Sequence, residues 1–394
     1  MNMNTEIELD SVITDIAAGP FGSNLKISCF VPQGFPIIDG ANLKGFTVTD
    51  NITKFVTEEK ARSLHRSIAH RGDVIVTISG TLGQIAYIPD NSQYKEYLCS
   101  QRQFRITFDK EKVYVPYLVF YFHTYEGQHK ILSFANQTGV PALSQPLKNF
   151  KKIRVNLPSY DDQKRAAHIV ELINRKIKNN EKINDNLQQQ AQTIYAAMFV
   201  KNQESKFARG VLSDIAVITM GQSPNGNSYN EDGIGEVFYQ GRAEFGFRFP
   251  TRRLYTTEPK RIAEPNDVLL SVRAPVGALN VAFERCCIGR GLSAIHSKNG
   301  NNSFLLYTMD FLKSQLDVFN NEGTVFGSVN RDSLNNLPIN VPSAEEIAKF
   351  EAVVRPIDDL IRTNYEEVCQ LQSIRDSLLP KLISGELDVS NVQL

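Results

Sequence analysis

Short apolar runs of period two fill the first 158 residues, and after that the period lengthens to that of a helix. DVIVTI (73–78), QIAYI (84–88), FRITF (104–108) and IRVNL (153–157) predict strands, bounded by Gly, Pro and Asn. YLVFYFHTYEGQHKIL (117–132) has helical length and spacing. From 159 to about 203 the chain contains no Gly or Pro. Its apolar positions, Ile169, Ile173, Ile177, Leu187, Ala191, Ile194 and Met198, predict one long amphipathic helix. The same succession then recurs. DVLLSV (267–272) and LNVAF (279–283) predict strands, and FLLYTMDFLKSQLDVF (304–319) a helix. Val353, Ile357, Ile361, Val368, Leu371, Leu378 and Leu382 mark a second long seam.

The recurrence is also one of residues. GVPALSQPLKNFKKIRVNLPS (139–159) aligns without a gap on GTVFGSVNRDSLNNLPINVPS (323–343), with Phe150 on Leu334, Ile153 on Leu337 and Val155 on Ile339. Asp15-Ile16-Ala17 matches Asp214-Ile215-Ala216, and GDVIVTISGTLG (72–83) matches NDVLLSVRAPVG (266–277). A repeat of this length means one fold used twice. Copies that differ most in their middles imply one scaffold with two recognition surfaces.

Both long helices start alike. Ser159 to Asp162 and Ser343 to Glu346 form capping boxes, each after a proline. Asn180 and Asn364 align within the two seams, and a buried asparagine pair at that level would fix register; a solvent-facing position is the alternative. Pro356 is expected to kink or restart the second helix. Pro380 lies just before Ser384-Gly385, where a stop is expected. About forty residues at 1.5 Å each make a rod of about 60 Å. The expected fold is α+β: two tandem-repeat globules held apart by two long antiparallel coiled-coil helices, a pseudo-twofold dumb-bell. Its parts are a globule over 1–158, a helix over 159–203, a linker over 204–209, a second globule over 210–342, a helix over 343–384 and a tail over 385–394.

Composition narrows the class. The 394 residues are 42% hydrophobic and 22% charged, as in ordinary soluble proteins. No apolar run reaches the ~18–20 residues that span a bilayer, and the acidic N-terminus has no signal-peptide pattern. Five cysteines without a C-x-x-C pair fit a reducing cytoplasm and argue against a metal site. Zero net charge argues against a non-specific DNA coat. It hides a gradient, with 17 basic against 14 acidic residues over 1–159 and 5 against 10 over 343–394.

The globule–helix–globule–helix order, the repeated element before each helix, Asp162-Gln163 and the ending SLLPKLISGEL (377–387) together resemble one family. It is that of the specificity subunits of type I restriction–modification systems, and the resemblance covers essentially the whole chain. It implies that each globule is a target-recognition domain reading one half of a bipartite site in double-stranded DNA. The helices would set the spacing and dock two methyltransferase subunits, with restriction subunits joining. S-adenosylmethionine would bind those methyltransferases, and this chain would hold no cofactor. Glu346-Ile347, in place of Asp162-Gln163, departs from the pattern.

DNA reading calls for guanidinium and amide groups at base edges, with Ser, Lys and backbone N–H groups at phosphates. YQGRAEFGFRFPTRRLY (239–255) is the densest such stretch, offering Gln240, Arg242, Arg248, Arg252 and Arg253. The Gly-rich loop 220–230, with Gln222 and Ser223, answers loop 18–28, with Ser23, Asn24 and Lys26. Ser79, Thr81 and Gln84 align with Arg273, Pro275 and Ala278, while Arg102 and Gln103 align with Arg290 and Gly291. Strand packing and ordinary loop composition are the alternatives for all of these. Catalysis is not expected. The chain has no (N/D)-P-P-(Y/F) tetrapeptide for a flipped base, no G-x-x-x-x-G-K-[ST] and no H-E-x-x-H. GTVFGS (323–328) resembles a cofactor loop only apart from its repeat partner. A coiled-coil protein adaptor without DNA contact is the remaining alternative.

Overall fold

The computed structural model describes residues 5–136, 140–201, 207–320 and 327–394. The first residues of the two aligned segments (139 and 323–326) and half of the expected linker (204–206) lie outside these. The chain divides into two compact units, one of Met1–Lys178 with Val368–Leu394, the other of Asn179–Glu367.

In the first unit, Val74–Thr77 is buried at every position, as its β-branched run requires. It lies inside a four-stranded antiparallel sheet ordered Ile13–Ala18, Gln103–Phe108, Val74–Thr77, Ile85–Tyr87. A five-stranded sheet follows the order Phe30–Val31, Phe55–Val56, Phe35–Ile38, Glu96–Cys99, Ile68–His70, and its Phe35–Ile38 and Glu96–Cys99 run parallel. Thr5–Glu8 pairs with Arg154–Leu157, the strand that feeds the long helix. Leu9, Phe104, Phe122 and Phe150 fill the core.

The second unit repeats this topology strand for strand. Its four-stranded sheet is Ala216–Met220, Leu292–Ser297, Val268–Ser271, Leu279–Val281. Its five-stranded sheet is Tyr229–Asn230, Leu254–Thr256, Glu236–Tyr239, Cys286–Ile288, Ile262–Ala263, with the same parallel pair in the middle. Ala208–Val211 pairs with Pro338–Val341. The duplication read from residues is thus a duplication of fold.

The first long helix spans Tyr160–Tyr195 and widens into a π turn over Ala196–Val200. The second spans Ala344–Ser384 and stops at Gly385, whose φ of +76° suits a helix end. Both caps are made: the Asp162 N–H donates to Ser159 Oγ (3.2 Å), and Glu346 N–H to Ser343 Oγ (3.3 Å). Of the kink or restart expected at Pro356, the restart does not occur, and one helix runs through it. Phe350, Val354 and Ile361 around it are fully buried, and that packing outweighs the ~3 kcal/mol an interior proline costs.

Each unit contains a stretch of both helices, running antiparallel. In the first, Ala166, Ala167 and Val170 pack with Leu379 and Leu382, and Arg375 donates to Asn174 Oδ1 (3.1 Å). In the second, Leu187 packs near Ile361, and Ala191 and Tyr195 pack with Ile347, Phe350 and Val354. The asparagine register differs from the aligned pair. Asn364 donates to Asn184 Oδ1 (2.9 Å), whereas buried Asn180 donates to Glu367 (2.7 Å). Each asparagine bonds a residue about one helical turn from its aligned counterpart on the other helix.

The departure at Ile347 has a local explanation. Buried Gln163 accepts the Tyr114 N–H (2.9 Å) at the start of helix Val115–Phe122 and donates to Lys112 and Pro158 carbonyls (3.0 Å each). In the second unit Glu351, one turn further along, accepts the Phe304 N–H (2.8 Å) near the start of Asn302–Phe311. Ile347 is thereby free to join an aromatic core.

His123 is a half-buried base in the first unit. Its Nε2 lies 2.8 Å from the Ile85 carbonyl, and its ring meets Phe46 edge-on at 4.6 Å. Burial pushes its pKa down, helped by the Arg375 charge. Below about pH 6.5 the unfolded chain takes up a proton that the folded chain refuses. Stability is therefore lost as pH falls. Thermal unfolding at pH 7.5 and 5.5 should show a smaller acid-induced drop in His123→Gln than in the parent.

Candidate nucleic-acid interface

Four loops meet at one end of each unit because their strands are neighbours in the sheets. In the second unit they follow Ala216–Met220, Glu236–Tyr239, Val268–Ser271 and Cys286–Ile288. Backbone bonds lock them. Gly221 N–H donates to Leu292 O (2.9 Å), Gln222 N–H to Ile288 O (3.0 Å), Gly289 N–H to Tyr239 O (2.8 Å) and Val272 N–H to Gly291 O (3.0 Å). In the first unit Gly19 N–H donates to Gln103 O (2.8 Å), Ser100 N–H to Ile38 O (3.0 Å) and Ile78 N–H to Arg102 O (2.6 Å).

The close approach explains two glycines. A Cβ on Gly19 would lie 1.8 Å from Ser100 O, and one on Gly221 would lie 2.1 Å from Gly289 O. Gly221→Ala must push two backbone segments apart, at about 1–3 kcal/mol. Thermal unfolding of the purified variant measures this loss.

These bonds also correct one alignment. Thr77 pairs with Gln103 and Ser271 with Leu292, so Gln103 corresponds to Leu292, Arg102 to Gly291 and Gln101 to Arg290. The paired sequences are thus one residue out of step with the sheet register there. Gln101, which composition did not single out, donates to the carbonyls of Gly22 (3.2 Å) and Leu25 (2.5 Å), and so pins loop 18–28.

The candidates fall into three groups. Ser23, Asn24, Lys26, Thr81, Arg102, Gln222, Gln240, Arg242, Arg273 and Arg290 are exposed at the loop ends, with Ser79 and Ser223 half-buried among them. Arg252 and Arg253 are exposed but ion-paired, Arg252 to Glu284 and Arg253 to Glu244 (2.9 Å). Three others are internal fastenings. Arg248, 7% exposed, pairs with Asp358 (3.1 Å) and donates to Tyr307 Oη (3.0 Å) and Gln188 (3.3 Å). Its guanidinium ties the sheet to both helices and cannot also reach a base edge. Gln103, 1% exposed, accepts from Ser100 Oγ. Gln84 accepts from Thr77 Oγ1 (3.0 Å) and donates to Gly40 O (3.0 Å), so both ends of its amide are used. Phe21 and Ile27, 83% and 86% exposed, flank the polar residues of loop 18–28; sequence patterning did not mark them.

Among the described residues no group of three His, Cys, Asp or Glu side chains could hold a metal ion. No described helix is long and apolar enough to cross a membrane. A cavity of about 190 Å³ in the second unit lies against the helix, lined by Arg248, Arg355, Asp358 and Arg362. Its charges already pair, Arg248 with Asp358 and Arg355 with Glu351.

A family description, the type I restriction modification DNA specificity domain, matches twice, over residues 33–189 and 205–368. The chain belongs to that family. A putative type I restriction enzyme MjaX specificity subunit from Methanocaldococcus jannaschii is 29% identical over 292 residues, 70% of this chain and 68% of that protein. The type I restriction enzyme MjaIX specificity subunit of the same organism is 22% identical over 370 residues, 86% and 82% of the two chains. The crystal structure of a type I restriction–modification system S subunit from M. genitalium shares the fold, with a TM-score of 0.60 at 15% identity over 96% of both chains. The chain is therefore a type I specificity subunit, the non-catalytic part of a restriction–modification complex.

Proposed function

We propose that this specificity subunit reads a bipartite site in double-stranded DNA, one half at each four-loop end. Two methyltransferase subunits dock on it, restriction subunits join that core, and the assembly works in the cytoplasm. S-adenosylmethionine belongs to the methyltransferases, which modify an adenine in each half-site. The observation that carries this reading is the repetition itself. The same four loops are clamped by three matching backbone bonds in both units, while the exposed side chains on them differ. A shared frame suits the phosphate backbone, which is the same everywhere, and differing side chains suit base edges, which are not.

Methylome sequencing of the host with and without this chain tests the proposal. One split adenine-methylation motif should vanish on deletion. An unchanged methylome, or loss of a continuous motif, would refute it.

A further inference from the structure

The two loop ends differ sharply in charge at matched positions. The strand register pairs Ile38 with Cys99 and Tyr239 with Ile288, and the Ser100–Ile38 and Gly289–Tyr239 bonds extend that match. Asp39 thus corresponds to Gln240 and Ala41 to Arg242. With the pairs above, Asp39, Ala41, Ser79, Gln101 and Arg102 face the same way in the fold as Gln240, Arg242, Arg273, Arg290 and Gly291. The first set holds one cation and one anion, and Asp39 is already paired with Lys54 (2.6 Å). The second holds three arginines and no acid. All three are exposed and have no side-chain partner among the described residues.

We propose that the second unit reads guanine at two positions of its half-site, through Arg273 and Arg290. This rests on the DNA-reading function proposed above. A guanidinium meets guanine O6 and N7 as a two-pronged donor, a match no other base offers in the major groove. Such discrimination needs a fixed anchor, and both residues have one. Arg290 lies between Gly289 and Gly291, where a Cβ would come within 2.9 Å of Gln240 O at either glycine. Its N–H donates to Ser223 Oγ (3.3 Å). Arg273 pairs in a bridge with Ser328, and the Ala274 N–H beside it donates to Gly327 O (3.0 Å). The Val272–Gly291 bond ties the two loops together directly next to both arginines.

Base edges explain the contrast between units better than phosphates do. Phosphates are common to both half-sites, so phosphate contacts give no cause for the copies to diverge. The first unit places Ser79 at one of these positions and uses the other, Gln101, to pin its own loop. Its half-site is therefore read by other groups.

The test exchanges each arginine for its counterpart, as Arg273→Ser and Arg290→Gln, in the host that carries the complete complex. Methylome sequencing should still show a split motif, with one guanine position of a single half becoming degenerate in each variant. Discrimination at that position should fall roughly tenfold or more. Arg290→Lys keeps the charge but lacks the planar fork, so it should not restore the guanine. An evenly lowered methylation on unchanged sequences, rescued by lysine and with a shallower salt dependence of binding, would reassign both arginines to phosphates and overturn the proposal. So would a split motif in which neither half contains the two guanines. In these outcomes deletion of the chain still abolishes the motif, which separates this failure from failure of the DNA-reading function itself.

Discussion

Asp358→Ala should destabilise the second unit by about 3–5 kcal/mol, the cost of stranding a buried charge. The Arg248 side chain would remain enclosed beside Tyr307, whose hydroxyl now donates to the same Asp358 oxygen (2.8 Å). Burial already pushes the Tyr307 phenol far up, so it cannot supply the missing anion. Replacing both partners, Arg248→Met with Asp358→Leu, should recover most of the loss, because no uncompensated charge is left. Denaturant unfolding of the purified chains measures both effects. The methylation motif made by the double variant should be that of the parent, since Arg248 fastens a sheet to a helix.

Leu382→Ala should cost the first unit about 2–5 kcal/mol. Leu382 lies near the C-terminus, yet its buried side chain packs with Tyr117, Phe120, Ala166 and Val170. The Tyr117 hydroxyl donates to the Ile383 carbonyl (3.1 Å), so the last helical turns close the core of the N-terminal globule. Hydrogen exchange should quicken at Val115–Phe122 and leave Asn302–Phe311 unchanged. Equal acceleration at both segments would contradict the division of the chain into two units.

Much of the architecture was legible because it is written in local periods. The strand Val74–Thr77 buries its residues, and the seam from Ile169 onward buries or half-buries its own, by rules that act within a few residues. Capping boxes at Ser159 and Ser343 are likewise local. The site was legible only in outline. Loop composition marked Arg242, the comparison of the two copies marked Arg273 and Arg290, and all three are exposed. The same composition marked Arg248, which is buried, because an arginine looks alike in sequence whether it faces solvent or a half-buried aspartate 110 residues away.

By itself the sequence determined that one α+β scaffold is built twice, each copy ending in a long capped helix. Repeated residues and apolar periods suffice for that, since both express short-range sterics and burial. Only the tertiary structure decided which side chains remain available and which residues correspond. Hydrogen-bond register moved the counterpart of Arg290 from Arg102 to Gln101, and antiparallel helix pairing gave Asn364 to Asn184. These outcomes depend on partners distant in the chain, whose approach no local pattern encodes.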